Sequence, residues 1–177
     1  ECNKIRRSIK RSHMKKIKLT QGKFALVDDN DFERLNQFKW CAAGNNKNNC
    51  FYAIRTIAKK NIGMHRVILN AVESIYHVDH IDGDTLNNQK SNLRLCTNSE
   101  NRRNQKLNKK STTGYKGVSI RKINNTYRSQ IKFNSKTICI GHYKTAIEAA
   151  KAYNEKAKEL HGEFARLNII PEANNDH

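Results

Sequence analysis

The stretch HVDHIDGD, residues 77–84, places two histidines and three aspartates within eight positions. A neutral histidine can accept a proton from water near pH 7. Carboxylate oxygens are preferred ligands of hard divalent cations such as Mg²⁺. These residue types could therefore activate a water molecule beside a metal ion. A plain polar turn is also open, and we assign Asp82 and Asp84 to that turn because Gly83 between them permits tight backbone geometry.

The residues that follow predict the order strand, loop, strand and helix. YHVDH has strand character and runs into a loop rich in Asp, Gly and Asn, and LRLCT is a second short strand. Thr97 and Glu100 have the spacing of a capping box, so a helix should begin near Asn98. Asn101 and Asn104 are three residues apart, which places them on one face of that helix.

This layout resembles the HNH nucleases, whose ββα-metal site carries a histidine at the end of the first strand, a central asparagine, and a histidine or asparagine on the helix. The matching segments are DHIDGD, the NN pair at 87–88, NLR at 92–94 and ENRRN at 100–104. An asparagine at the last position is the HNN variant, familiar among phage homing endonucleases. The resemblance predicts an endonuclease of that type.

The resemblance also implies a role for each matching residue. His80 is the general base, Asp79 and Asn101 are the metal ligands, and Asn92 orients the site. Asn104 is the alternative ligand. One carboxylate and one amide oxygen suit Mg²⁺ (or Mn²⁺), whereas zinc needs more His or Cys ligands than converge here.

Two further histidines keep open roles. His77 alternates with Asp79 along the predicted strand, so it could contact a phosphate or only pack. His65, in MHRVIL, resembles a His-Arg pair that often precedes the motif in this family. Either a site role or ordinary core packing fits that position.

The charge of the chain predicts a polyanionic partner. The formal net charge is +18, from 34 Lys and Arg against 16 Asp and Glu. Residues 101–147 contain 12 Lys or Arg and no Asp or Glu. Such a one-sided distribution is typical of a nucleic-acid-binding surface. We expect double-stranded DNA as the partner. We expect an intracellular location and no membrane association, since the chain contains no long apolar run.

The last third of the chain resembles an AP2 domain. The matching segments are YKGV (115–118), IGHYKTAIEAAKAYN (140–154) and HGEFARLN (161–168). The resemblance implies a three-stranded antiparallel sheet lying on one helix, with the open face of the sheet in the DNA major groove. Independently of the family, Thr145 and Glu148 form a second capping box, and Gly162 suits the end of that helix.

Alternation along the predicted strands gives the sheet one apolar and one basic face. Tyr127, Ile131 and Phe133 share a face opposite Arg128, Gln130 and Lys132. Arginine and glutamine can read base edges, and lysines more often contact phosphates. The predicted DNA contacts are Lys116, Arg121, Arg128, Gln130, Lys132 and Lys136.

The predicted fold class is α+β, with an HNH module followed by an AP2 module. We divide the chain into a basic disordered arm (1–13), an α+β region (14–107, with the motif at 76–107), a linker (108–113), the AP2 module (114–168) and a tail (169–177). Within 14–107 we expect strands near 16–27 and 50–56. A short helix near 28–38 should be capped by aspartate side chains, and NNKNN should form a hairpin turn.

The predicted function is metal-dependent cleavage of duplex DNA by the first module, positioned by the second. Nothing in the sequence implies a protein partner, and we expect a monomer. The alternative is a catalytically silent, sequence-specific DNA-binding regulator that keeps the same fold. The intact set of His80, Asp79, Asn92 and Asn101 favours the nuclease over that alternative.

Overall fold

The computed structural model of the protein describes residues 14–45, 50–107 and 111–171. The predicted arm, most of the NNKNN turn, part of the linker and the end of the tail lie outside the described residues. The chain forms two compact units, which divide between Cys96 and Thr97. The helix predicted near Asn98 therefore belongs to the second unit, together with the C-terminal sheet.

The first unit contains seven strands and two helices within its described residues. Antiparallel pairing joins β1 to β2, β3 to β4, β4 to β5, and β6 to β7. The elements are β1 (Met14–Lys18), β2 (Phe24–Asp28), α1 (Asp29–Asn36), β3 (Cys41–Asn45), β4 (Cys50–Ile57), β5 (Lys60–Gly63), α2 (Met64–Ile68), β6 (His77–His80) and β7 (Leu93–Cys96).

A continuous apolar core holds these small sheets and helices together. It includes the single tryptophan, Trp40, whose indole donates to the carbonyl of Leu35 at 2.9 Å. The buried members are Ile17, Leu19, Ala25, Val27, Leu35, Trp40, Ala42, Phe51, Ala53, Met64, Ile68 and Leu93. Val78 of β6 packs against this cluster, so the core fixes the strand that ends at His80.

The start of α1 differs from the prediction of an aspartate side-chain cap. Asp28 occupies the N-cap position, but its side chain makes no capping hydrogen bond. Its carboxylate instead accepts from the backbone N–H of Lys90 at 2.8 Å and from the Gln89 amide at 3.2 Å. A tertiary contact thus replaces the local one, and it ties β2 to the loop that follows β6.

The second unit begins with α3 (Asn98–Arg103) and continues with a three-stranded sheet and a long helix. The antiparallel strands are β8 (Val118–Arg121), β9 (Thr126–Phe133) and β10 (Lys136–Tyr143), with β9 in the centre. Helix α4 (Ala146–His161) packs against all three strands. Both predicted capping boxes are present, Thr97 with Glu100 and Thr145 with Glu148.

The apolar side of the sheet packs on α4. Ile131 is buried beside Tyr153 and Ala157, and Val118 is buried beside Ala149 and Ala150. The helix ends as predicted at Gly162, whose φ of 53° lies in the left-handed region that suits glycine. Among the described residues, no helix combines the length and the hydropathy that crossing a bilayer requires.

Candidate active site

His80 lies at the end of β6 and is almost completely buried, with 5% of its surface exposed. Its imidazole faces the rings of His65 and Tyr52, with centroid distances of 5.3 Å and 6.1 Å. Burial lowers the pKa of His80 below its ordinary value, although Asn88 and the nearby aspartates oppose the shift. The imidazole is therefore neutral near pH 7, the state in which it can accept a proton.

Asn88 contacts the same imidazole and is 1% exposed. Its side-chain nitrogen donates to the carbonyl of Leu86 at 3.1 Å, which turns the amide oxygen toward His80 Nε2 at 3.4 Å. Because that oxygen can only accept, the arrangement favours the His80 tautomer with hydrogen on Nε2. Asn88 belongs to the matched NN pair, but no role of its own was predicted for it.

His65 comes from α2 and completes what we call the His80 cluster: His80, His65, Tyr52 and Asn88. Burial, with smaller contributions from His80 and Arg66, lowers the pKa of His65 to about 4. Gly63 provides the space for its ring, since a Cβ there would lie 2.5 Å from His65 Cε1. The structure thus places His65 beside the predicted base, which the sequence left open.

Asp79 is 6% exposed, and Arg94 lies directly opposite it in the β6–β7 ladder. Arg94 Nε and Nη2 donate to Asp79 Oδ2 at 3.0 Å and 2.8 Å. Arg94 has a side chain only 12% exposed, so the pair lies largely out of solvent. This ion pair holds the predicted ligand in place, and the sequence did not reveal it.

The loop after β6, residues 81–92, is built around Asp82 and Asn92. The Asn92 amide accepts from the backbone N–H of Asp82 at 3.0 Å and donates to Asp82 Oδ1 at 2.9 Å. Asp82 also accepts from the backbone of Asp84 at 2.7 Å, and Gly83 has a φ of +74°. The assignment of Asp82 and Asp84 to the turn is therefore confirmed, and Asn92 organises this loop through its two hydrogen bonds to Asp82.

Burial raises the pKa of Asp82, but hydrogen bonds from Asp84, Asn87 and Asn92 outweigh it, so the net pKa is lowered. The loop carboxylate is therefore ionised near pH 7.

Arg66, next to His65, secures the segment that enters β6. Its guanidinium donates to the carbonyls of Ala71 at 2.6 Å and Tyr76 at 3.1 Å.

Asn101 is the fourth residue of α3, as predicted, and Asn104 is the C-cap of that helix. Asn104 is buried, with 8% exposed, and Asn101 is half-buried. Both belong to the second unit, whereas Asp79 and His80 belong to the first. The joint role of Asp79 and Asn101 as metal ligands therefore stays a prediction.

The chemistry of the predicted donor set fits a hard divalent cation. A buried carboxylate and an amide oxygen are ligands that Mg²⁺ and Mn²⁺ accept, and Mg²⁺ needs few protein ligands because it keeps several waters. Within the part of the chain that the structure describes, no three His, Cys, Asp or Glu side chains form a group that could hold a metal ion.

The open side of the C-terminal sheet is basic, as predicted. Directly paired residues lie on the same face, and the register pairs Ser119 and His142 with Arg128 on the central strand. Arg121 Nη1 lies 3.0 Å from His142 Nε2, so these side chains contact each other across the face. The polar residues of this basic face are Ser119, Arg121, Thr126, Arg128, Gln130, Lys132, Thr137 and His142.

Two of the six predicted DNA contacts lie elsewhere. Lys136 pairs with Phe133, so it projects from the face that packs on α4 and not from the basic face. Lys116 Nζ donates to the backbone carbonyls of Arg103 and Gln105, the latter at 2.9 Å. The β9–β10 register therefore places Lys136 away from the basic face, and the ammonium of Lys116 bonds to carbonyls at and just after the end of α3. The DNA contacts of both lysines stay predictions.

Comparison with known proteins decides the family. A family model described as HNH endonuclease matches residues 63–103. An uncharacterised HNH endonuclease of Acanthamoeba polyphaga mimivirus is 34% identical over 151 residues, which cover 85% of this chain and 77% of that protein. The chain belongs to the HNH endonuclease family.

Protein 3.8 of Escherichia phage T7 is a second relative of this HNH endonuclease. It is 36% identical over 92 residues, which cover 52% of this chain and 75% of that protein. No solved structure matches the chain. HNH endonucleases act on DNA and generally use a divalent metal ion. The matched segment begins in the first unit and ends with α3 in the second, so the family motif crosses the boundary at Cys96.

Proposed function

We propose that this protein is a homing-type endonuclease of the HNN variant, which hydrolyses phosphodiester bonds of duplex DNA with Mg²⁺ or Mn²⁺. In this proposal residues 114–168 form an AP2 module that positions the nuclease on its site. The observation that carries the proposal is His80: a buried, neutral imidazole held between Asn88 and His65, directly after Asp79.

The proposed reaction begins with proton transfer from water to the imidazole of His80. The water oxygen attacks phosphorus, and the bond from phosphorus to the 3′ oxygen breaks. Asn88 holds the imidazole in one orientation and tautomer through its amide oxygen. Asn92 keeps the adjoining loop in shape through Asp82, so the strand end that carries His80 stays fixed.

Asp79 and Asn101 are the residues proposed to hold the metal ion, with Asn104 as the alternative to Asn101. When bound, a divalent cation supplies positive charge against the phosphate and the leaving 3′ oxygen. Arg94 supports this role because it fixes the carboxylate of Asp79 through two hydrogen bonds to a single oxygen.

The proposed DNA-binding surface is the basic face of the C-terminal sheet. Arg121, Arg128 and Gln130 can donate to base edges in the major groove, and Lys132 can contact phosphate. β8, β9 and β10 contain no Asp or Glu, so no acidic side chain of these strands opposes the phosphates. We propose that the protein acts on DNA as a monomer.

The experiment that tests this function is cleavage of supercoiled plasmids that carry candidate intron-insertion sites, with Mg²⁺ and with EDTA. We expect relaxation or linearisation with Mg²⁺ and none with EDTA. The ratio of relaxed to linear product separates nicking from double-strand cleavage. If the protein binds duplex DNA tightly but cuts no plasmid under any metal condition, the silent DNA-binding regulator becomes the better account.

A further inference from the structure

Helix α3 is a weak element on its own. It spans only the residues Asn98–Arg103, and none of these six described residues is buried. Helices this short are unstable in water without tertiary contacts. The capping box of Thr97 and Glu100 satisfies its first turn, but the C-terminal carbonyls need partners from elsewhere.

Lys116, which lies in the same unit just before β8, donates hydrogen bonds to carbonyls at this end of the helix. Its Nζ donates to the carbonyl of Arg103, the last residue of α3, and to the carbonyl of Gln105 at 2.9 Å. A cation at the C-terminal end of a helix also interacts favourably with the helix dipole. Burial, together with the nearby charge of Arg166, lowers the pKa of Lys116 to about 8, so the side chain is still largely protonated at pH 7.

The backbone of Lys116 is itself held firmly. Its N–H donates to Asn168 Oδ1 at 2.6 Å, and its carbonyl accepts from Asn168 Nδ2 at 3.1 Å. Asn168 in turn exchanges two hydrogen bonds with Asn154 of α4, at 2.7 Å and 2.9 Å. A continuous series of contacts therefore runs from α4 through Asn168 and Lys116 to the end of α3.

A second contact fixes the side of α3 against the sheet. The guanidinium of Arg103 lies over the ring of Phe133 in β9, with 5.4 Å to the ring centroid. Phe133 also contacts His161 at the end of α4, with 6.2 Å between the ring centroids. Both contacts lie within the second unit, which agrees with the placement of α3 in that unit.

We propose that Lys116 is a positioning residue for the nuclease, because it holds in place the helix that carries Asn101. The inference rests on the proposed function, in which Asn101 is a metal ligand. It gives the second unit a role in catalysis beyond DNA binding, because the family match over residues 63–103 ends on a helix that this unit holds in place. Lys116 then acts through Asn101 and not through contact with DNA.

The test compares Lys116→Met with the wild type in the full chain. We expect the single-turnover cleavage rate at saturating DNA to fall roughly tenfold to a hundredfold, because small displacements of a catalytic group have effects of this size. DNA affinity, measured without divalent metal, should change less than threefold. Lys116→Arg should restore most of the rate, since guanidinium also donates to carbonyls.

Lys151→Met is the matched control. Lys151 is exposed on α4 and has no assigned role, so the same loss of charge there should leave the cleavage rate unchanged. Hydrogen exchange supplies a readout that does not need activity. The amides of Asn101 and Asn104, bonded to Thr97 and Glu100, should exchange faster in Lys116→Met, while amides of β9 and β10 should not.

Two results would overturn the inference. One is weaker DNA binding by tenfold or more with an unchanged cleavage rate at saturating DNA, which would make Lys116 a DNA contact. The other is unchanged exchange at Asn101 and Asn104. If the wild type does not cleave DNA at all, the proposed function fails, and faster exchange in Lys116→Met still shows that Lys116 holds α3.

Discussion

The His80 cluster and the basic face use polar residues in opposite ways. His80 and Asn88 of the cluster, and the adjacent Asp79, are each less than 10% exposed, and each has a hydrogen-bond partner. On the basic face Arg121 and Lys132 are exposed, on strands without acidic residues. Catalysis requires side chains that are held in fixed positions and shielded from bulk solvent, whereas binding to a polyanion requires accessible charge.

Because of this contrast, catalysis and DNA binding can be separated by mutation. Changes at His80 and Asn88 should alter the cleavage rate and leave DNA affinity in place, because these two side chains are buried. Changes on the basic face should alter affinity and its salt dependence, because exposed cations act mainly through the phosphate charge. A variant that lowered the cleavage rate and the DNA affinity equally would contradict this division.

Among the residues that support His80, the largest loss of cleavage rate is expected for Asn88→Ala. The substitution removes the acceptor that orients His80, so we expect the cleavage rate to fall by about a hundredfold, in the range of other lost supporting contacts. The ¹⁵N chemical shifts of the His80 ring should also show a mixture of tautomers in place of one.

Asn87→Ala is the matched control for Asn88→Ala. Asn87 is the neighbouring asparagine, and its side chain donates to Asp82 at 2.8 Å and not to His80. We expect a smaller loss of rate and no change in the His80 tautomer. Equal effects of the two substitutions would show that Asn88 acts only by shaping the loop.

A smaller effect is expected on the pH dependence of stability through His65. Its pKa is about 4 in the folded protein and 6.5 when unfolded, so the unfolded chain binds more protons between these values. The free energy of unfolding should therefore fall as the pH drops from 6.5 to 4, with a contribution from His65 on the order of 2 kcal/mol. His65→Gln should remove that part of the loss.

Urea denaturation at pH 7 and pH 4.5 measures this effect. Trp40 is the single tryptophan and is 3% exposed, so its fluorescence reports on the first unit. Both proteins keep His80, so the difference between their losses of stability measures the contribution of His65 together with its interaction with His80. Identical losses of stability in the two proteins would place the pKa of His65 near its ordinary value.

The smallest effects are expected for single lysines of the C-terminal unit. Lys132→Ala should weaken DNA binding a few-fold and lower the slope of log affinity against log salt by about 1, as expected for one phosphate contact. Lys136→Ala should change the slope less, because Lys136 lies on the opposite face of the sheet. Salt titrations of DNA affinity decide between them, and a larger slope change for Lys136 would contradict the face assignment.

Local features of the fold could be predicted from the sequence. The capping boxes at Thr97 and Thr145 involve residues three positions apart, so their spacing was sufficient to locate the starts of α3 and α4. Alternation likewise predicted the two faces of β9. The cap expected from Asp28 was wrong because a distant backbone group, Lys90 N–H, takes its carboxylate.

The partners of the site residues could not be predicted in the same way. Arg94 meets Asp79 only once the β6–β7 register is set, and His65 reaches His80 through the packing of α2. Lys136 was assigned to no face from the sequence, and only the β9–β10 register, which pairs it with Phe133, places it on the side that packs on α4. The NN pair pointed to Asn88, but its contact with His80 joins residues eight positions apart, so it depends on the path of the loop between them.

The most direct test of the account is the cleavage rate of His80→Ala on a cognate DNA site with Mg²⁺, beside its affinity for the same DNA without metal. If His80 is the general base, metal-dependent cleavage should fall by at least about a thousandfold, within the range known for loss of a general base. The affinity for DNA should stay within threefold of the wild type. Cleavage at a rate close to that of the wild type would contradict the account, because His80 would then not be the base.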